Sequence, residues 1–446
     1  MRTPIYDFVN EYISNDKSRL HMPGHKGRGM LGFEGFDITE IDGADSLYEA
    51  DGIIAESEKN ASEVFESRAT FYSTEGASQC IRAMLALACP EKSTVIAARN
   101  AHKSFIYASA LLDLDVIWLD GDGDYSLCGC TISAETLEKC IKNAKNKPSA
   151  VYVTSPDYLG GMLDIEALGR TAHKYGVPLL VDNAHGAYLK FLKPSLHPLD
   201  LGADICCDSA HKTLPVLTGG AYLHISKNAA HDYEKRAKQA LALFGSTSPS
   251  YLILESLDLA NKYISDGYAE RLQDTVNKLT EFKEKLENIG FRLYGNDPLK
   301  LTVCSSEYGY SGAELLDILK NNGVFCEYAD PDYVVMMLTP ENTQNDYDRI
   351  FGALLHAEKR NAKEKPILKR GKTEQVISIR QAMFSESEQI PTDLAVGRIL
   401  AQPSVSCPPA VMPICCGETV TEDAVKILLY YGIEKIYVIK QKMTSK

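Results

Sequence analysis

The stretch AVYVTSPDYLGGMLDIEALGRTAHKYGVPLLVD (150–182) decides the fold. AVYVT is apolar or β-branched up to a Ser-Pro stop, a helix-period run covers Ile165–Tyr175, and VPLLVD (177–182) reads as a second strand. Two buried strands joined through an amphipathic helix make a crossover unit, the connection that parallel strands require. The alternation continues in both directions. Upstream lie a helical run Glu56–Arg68, FYSTEGAS (71–78), an apolar helix Cys80–Cys89, TVIAA (94–98), a helix from Lys103, DVIWL (115–119) and a helix near 134–145. Downstream, Asp204–Cys207 and GAYLHI (220–225) fit further strands. The pattern predicts an α/β fold with a mainly parallel sheet covered on both faces. Such sheets hold ligands beyond the carboxyl ends of their strands.

Composition sets the outer bounds. With 446 residues, 45% hydrophobic and 24% charged, the chain has the makeup of a folded protein of two or three domains. A net charge of −13 repels phosphate backbones and anionic lipid, so neither nucleic acid nor a membrane is expected as partner. No apolar run approaches the ~18 residues of a membrane span. MRTPIYDFVNEYISND shows no signal-peptide core. Twelve cysteines without such a signal predict reduced thiols and a cytoplasmic protein. Their spacing, Cys128-x-Cys130 and the pairs Cys206-Cys207 and Cys415-Cys416, offers no zinc pattern, so no metal is expected.

Beyond the alternating region (56–265) the rhythm changes. Residues 249–290 read as one or two long helices. A smaller α+β segment follows, with strands at 299–304 and 333–338 and helices at 311–321 and 343–357. EKRNAKEKPILKRGKTEQ (358–375) is charged and reads as an exposed linker or crossing segment. The remainder carries a Pro/Cys-rich stretch, CPPAVMPICCGE (407–418), then a helix and IEKIYVIK. The expected division is an amino-terminal segment 1–55, a large cofactor-binding domain 56–265, a small α+β domain with linker 266–375, and a C-terminal domain 376–446.

Gly27-x-Gly29-x-x-Gly32 fits the dinucleotide fingerprint, but it follows HMPGHK rather than a strand and reads as a loop. The informative cluster is DSAHKT (208–213). A lone lysine is ordinarily a solvated surface residue. Lys212, however, lies between a buried strand and a mostly apolar stretch, and a lysine in a protected cleft can form an imine. Ser209 and His211 beside it offer donors for a phosphate. Asp182 stands thirty residues earlier at a strand end, where an acid can equally be a turn residue. Thr74-Glu75-Gly76-Ala77-Ser78 opens a helix after a strand and supplies a phosphate cup. Cup, acid and lysine on successive strand ends are what pyridoxal phosphate needs: an imine-forming lysine, a carboxylate that keeps the ring nitrogen protonated, and amides for the phosphate. In RNAHKS (99–104), His102 ends a strand loop; its imidazole can stack on a flat ring, with small Ala184 on the other face.

HMPGHKGRG (21–29), DITEIDGADSLYEADGII (37–54), RNAHKS, TSPDYLGGMLDI (154–165), VDNAHGAYLKF (181–191), DSAHKTLPVLTGG (208–220), STSPSYLILESLD (246–258) and CPPAVMPICCGE together resemble the Orn/Lys/Arg decarboxylase family, in its short arginine-decarboxylase-like members. The resemblance runs nearly end to end. It implies a fold-type-I pyridoxal-phosphate enzyme, aspartate-aminotransferase-like in its large domain, with smaller α+β domains at the C-terminal side. It implies Lys212 as the covalent anchor, Asp182 on the ring nitrogen, and His102 on the ring with Ala184 and His185 nearby. Gly76, Ala77, Ser78, Ser209 and His211 would surround the phosphate, and Thr247 would reach it from a neighbouring subunit of a homodimer or higher even oligomer. The pattern departs from the family at Ala77, where a Thr hydroxyl is usual; at Glu75, an added negative charge; at Asn183, in place of Glu; and at Ala410 and Met412. The expected reaction is α-decarboxylation of a basic L-amino acid, arginine first and then lysine or ornithine, giving an amine of the polyamine-biosynthesis type. Asp182, Lys212 and His102 are its expected catalytic residues. Glu40, Asp42, Asp45, Glu49 and Asp51 are candidates for the distal cation. The alternatives are an aminotransferase or other lyase on the same fold, or a non-catalytic regulatory homologue.

Overall fold

The computed structural model describes residues 1–15, 17–121, 126–404 and 411–441; Ala410 and the start of the Pro/Cys-rich stretch lie outside them. The chain divides into two compact units: Met1–Pro90, Lys147–Ser155 and Asp164–Arg271, and Glu91–Asn146, Pro156–Leu163 and Leu272–Lys446. The strands in chain order are β1 (Ala69–Ser73), β2 (Thr94–Ala98), β3 (Asp115–Leu119), β4 (Ala150–Thr154), β5 (Leu179–Asp182), β6 (Ile205–Asp208), β7 (Ala221–Ile225), β8 (Leu293–Tyr294), β9 (Lys300–Cys304), β10 (Tyr328–Ala329), β11 (Tyr333–Met337), β12 (Ser387–Pro391) and β13 (Lys435–Ile439).

In the first unit the strands run in the order β1-β7-β6-β5-β4. β4, β5 and β6 are mutually parallel, with Thr154 opposite Asp182 and Asp182 opposite Cys207. β7 is antiparallel to both β6 and β1. Two reversals restore the direction, so Ser73, Thr154, Asp182 and Asp208 all end their strands at one edge. β5, β6 and β7 are buried at every position, which is why they read as continuous apolar runs rather than as alternation. The crossover helix Ile165–Lys174 starts where the Asp164 side chain accepts the Ala167 amide at 2.9 Å, an N-cap. A helix over Pro4–Ser14, not marked out by periodicity, is held by the chain's own acid: Asp258 Oδ2, on the helix Tyr251–Ser265, accepts the Ile5 and Tyr6 amides at 2.9 and 3.1 Å. The fingerprint-like Gly27–Gly32 lies in turns and bends, with no helix after it.

In the second unit β2 and β3 pair in parallel. A four-stranded antiparallel sheet, β10-β11-β9-β8, shares a core with the long helix Tyr268–Asn288 through Leu279, Phe282, Leu301, Val303 and Val334. Residues 358–374 form neither helix nor strand. β12 and β13 make a separate antiparallel pair. The architecture is α/β with a mainly parallel sheet, as the alternation predicts. No helix among the described residues is long and apolar enough to cross a membrane.

Candidate active site

The edge of the first unit where β1, β4, β5 and β6 end gathers most of the expected residues. Asp182, 2% exposed, closes β5. Its Oδ2 accepts the Tyr152 hydroxyl at 3.2 Å, and its Oδ1 accepts the Ala184 amide at 3.2 Å and the Cys207 thiol at 3.8 Å. Burial pushes this carboxyl up from its ordinary value, while the nearby Lys212 charge and these donors pull it back. A buried acid in that state gains from a cation brought beside it.

β6 leads directly into the cluster. Ser209 precedes a single helical turn, Ala210–Thr213, that carries Lys212. Lys212 Nζ lies 2.9 Å from His185 Nε2, which comes from the turn after Asp182. His211 turns its Nδ1 to the Gly220 carbonyl at 3.1 Å, and burial lowers its pKa. Lysine and acid therefore come from adjacent parallel strand ends, and His185, from the turn after the acid, touches the lysine.

The cup follows β1. Gly76 opens the helix Gly76–Ala88 with φ +70°, and a Cβ built there meets nothing within 4 Å. Its amide donates to the Gly219 carbonyl at 2.7 Å. Ala77 and Ser78 occupy the first turn, where helical amides have no partner within the helix. Glu75 does not stand free at this mouth: its carboxylate accepts the Ser246 amide. That contact sets exposed Thr247 one residue away, within the same chain. Open space above a glycine at a helix start, a buried carboxylate and a lysine on the neighbouring strand end fit pyridoxal phosphate.

His102 belongs to the second unit. It N-caps the helix Lys103–Leu112, its Nδ1 accepting the Ser104 amide at 3.1 Å, so the neutral ring carries its proton on Nε2. In the same unit Arg99, 4% exposed, is gripped by Glu418: Nη2–Oε1 is 2.6 Å and Nη1–Oε2 is 3.2 Å. Its Nε reaches Asp120 at 3.1 Å and its guanidinium lies over Trp118. Met412 donates its amide to the Arg99 carbonyl at 3.2 Å.

Of the acids considered for a distal cation, Asp45 is occupied otherwise. It accepts the amides of Ser46, Asp51, Gly52 and Ile54 and so fixes the start of the helix Ile53–Val64. Burial raises its carboxyl, and those amides outweigh it to bring it below the ordinary value. Sequence reasoning missed Tyr152 and the Gly219 and Gly220 carbonyls. Tyr152 sits mid-strand in AVYVT and looks like core; only the register opposite Leu180 places its hydroxyl at Asp182.

The Orn/Lys/Arg decarboxylase major-domain model matches residues 3–293. An arginine decarboxylase of Bacillus subtilis is 28% identical over 460 residues, covering 96% of this chain and 93% of its own. Francisella novicida lysine decarboxylase superposes with a TM-score of 0.83 at 18% identity, over 98% of this chain and 81% of that one. A structure of SPT with PLP superposes at 0.54, at 15% identity, over 68% and 75%. The last two show the fold alone. The chain therefore belongs to the Orn/Lys/Arg decarboxylase family, and is a pyridoxal-phosphate-dependent amino-acid decarboxylase of fold type I.

Proposed function

We propose that the enzyme removes the α-carboxylate of a basic L-amino acid, arginine first and then lysine or ornithine, at the edge formed by Asp182, Lys212 and the Gly76 cup. The observation that carries the reading is Lys212 Nζ held 2.9 Å from His185 Nε2, beside the buried Asp182 carboxylate. Arginine leads because a relative covering nearly the whole chain is an arginine decarboxylase.

When bound, pyridoxal phosphate supplies a conjugated ring that draws electrons from the substrate's α-carbon. Lys212 is the proposed covalent anchor, and His185 Nε2 accepts or returns a proton at Nζ. Asp182 presents a desolvated negative charge to the ring nitrogen, held in place by Tyr152 and the Ala184 amide. The Gly76 amide is engaged with Gly219, so the phosphate is assigned to the Ala77 and Ser78 amides, the Ser78 and Ser209 hydroxyls, His211 and Thr247. Ala184 and His102 are the proposed ring-face residues, and His102 Nε2 or Lys212 Nζ is the proposed proton source for the α-carbon. With the group bound, the residues around it would select which bond of the α-carbon is cleaved by fixing how the substrate is oriented.

The proposed active unit is a cytoplasmic homodimer or higher even oligomer. Support comes from apolar side chains left outside along one stretch of chain, Leu20 91% exposed, Met30 fully so and Leu31 71%, which a partner's surface would cover. The proposed division stays 1–55, 56–265, 266–375 and 376–446, and the proposed role is polyamine biosynthesis. The test is to incubate the protein with pyridoxal phosphate and arginine, lysine or ornithine separately, measuring CO₂ and identifying the amine. Agmatine with stoichiometric CO₂ supports the reading; keto-acid-dependent amino transfer without CO₂ overturns it. Lys212→Ala should lose both turnover and the visible colour of bound cofactor.

A further inference from the structure

His197, Asp208 and His224 form a cluster with no solvent exposure that the reaction does not yet use. Asp208 Oδ2 lies 3.0 Å from His197 Nε2 and 3.2 Å from His224 Nε2, and its Oδ1 accepts the Asn183 side-chain amide at 2.7 Å. His224 Nδ1 continues to the Thr70 hydroxyl at 2.8 Å. The trio has the composition of a metal site, but the tautomer argues against one. His197 Nδ1 accepts the Leu199 amide at 3.3 Å, so Nε2 bears the hydrogen and has no lone pair for an ion. The trio is a hydrogen-bonded hub: burial would raise the Asp208 carboxyl, and the two imidazoles overrule it and hold it far below the carboxylate range.

Burying a carboxylate is costly unless it is fully hydrogen-bonded, and the place of Asp208 in the fold points to what it is for. Asp208 immediately precedes Ser209, which starts the turn carrying Lys212. Asn183 immediately follows Asp182, and its backbone amide donates to the Cys207 carbonyl at 3.0 Å. The Asn183–Asp208 hydrogen bond therefore joins the two turns that present the acid and the lysine. We propose that Asp208 and Asn183 are positioning residues for the decarboxylation, fixing where Asp182 and Lys212 stand relative to each other. This rests on the reading above, in which those two residues hold the cofactor. Misplacement of reacting groups by about 1 Å costs on the order of a hundredfold in rate.

Asn183→Ala cuts the tie while leaving Asp208 both histidines. Cofactor titration of the apo-protein, circular dichroism of the bound cofactor and steady-state kinetics are compared with wild type. The expected result is a changed visible dichroism per bound cofactor and a kcat about 10–100-fold lower, with KM moved much less. A variant with wild-type dichroism and wild-type kcat per bound cofactor overturns the inference, whatever its melting temperature. If Asn183→Ala does not fold, Asn183→Ser, whose shorter hydroxyl cannot span the same gap, is judged by the same two outcomes. Lys212→Ala separates the layers: if it keeps the bound-cofactor colour and activity, the reading of the site itself fails. If it loses both while Asn183→Ala behaves as wild type, only the positioning role fails.

Discussion

Replacing Glu418 by alanine removes the carboxylate that grips Arg99 through two hydrogen bonds. Both side chains are nearly out of solvent, at 5% and 3% exposure. Breaking a buried pair from one side costs about 3–5 kcal/mol, because the remaining charge keeps its desolvation and loses its partner. Arg99 retains Asp120 at 3.1 Å, but that carboxylate is 61% exposed and so offsets little. The expected loss is therefore about 3 kcal/mol, the low end of that range. Replacing both residues by methionine removes the stranded charge as well and should cost less than Glu418→Ala alone. The reporter is built in: the chain has one tryptophan, and Trp118 lies under the Arg99 guanidinium at 5.3 Å. Urea unfolding followed by its fluorescence compares wild type, Glu418→Ala, Arg99→Met and the double variant. The reasoning fails if Glu418→Ala sits within about 1 kcal/mol of wild type, or if the double variant is less stable than either single one.

Asp182→Ala should retain some cofactor yet lose roughly a hundredfold or more in kcat, since the interaction removed strengthens as charge develops; near-normal kcat would reduce Asp182 to a turn residue. Burial, Asp258 and Asp37 raise Glu255 to about 8, against an ordinary 4.5. The folded chain thus holds a proton that the unfolded chain has lost across that window, so stability falls as pH rises through it and levels off above it. The thermal midpoint should be higher at pH 6 than at pH 8, and Glu255→Gln should flatten the slope; an unchanged slope assigns the effect elsewhere. Mixing Lys212→Ala with a chain carrying a bulky residue at Thr247 should restore about a quarter of wild-type activity if sites are shared between subunits. No recovery despite demonstrated exchange, with both parents inactive, places Thr247 in its own chain's site, as the Glu75–Ser246 contact would allow.

The parallel strands of both units were legible because double-sided burial leaves unbroken runs such as TVIAA and LLVD between helices. The helix Pro4–Ser14 was not. Its buried residues are few, Pro4, Ile5 and Val9, and part of its support is Asp258, far away in sequence. β12, SEQIP, is mostly polar and pairs antiparallel with β13, so composition gives it no signature. In the site, Asp182 and Lys212 could be picked out because strand ends are where such sheets place chemistry. Tyr152, Asn183 and Asp208 could not, because their hydrogen bonds join residues 25 or 30 apart and depend on strand register. His224 offered a faint signal, a histidine inside the apolar strand AYLHI.

The grip on Arg99 also has a timetable. Its two ends are 319 residues apart, and a ribosome adding about 5–20 residues per second needs tens of seconds to cover that distance. During synthesis the RNAHKS loop emerges long before the carboxylate that will close on it. Until then Arg99 has reason to remain hydrated, and the loop that begins with it has no fixed anchor at Glu418. This contact of the second unit thus forms late, so a nascent chain interrupted before residue 418 leaves that arginine without the partner its burial requires.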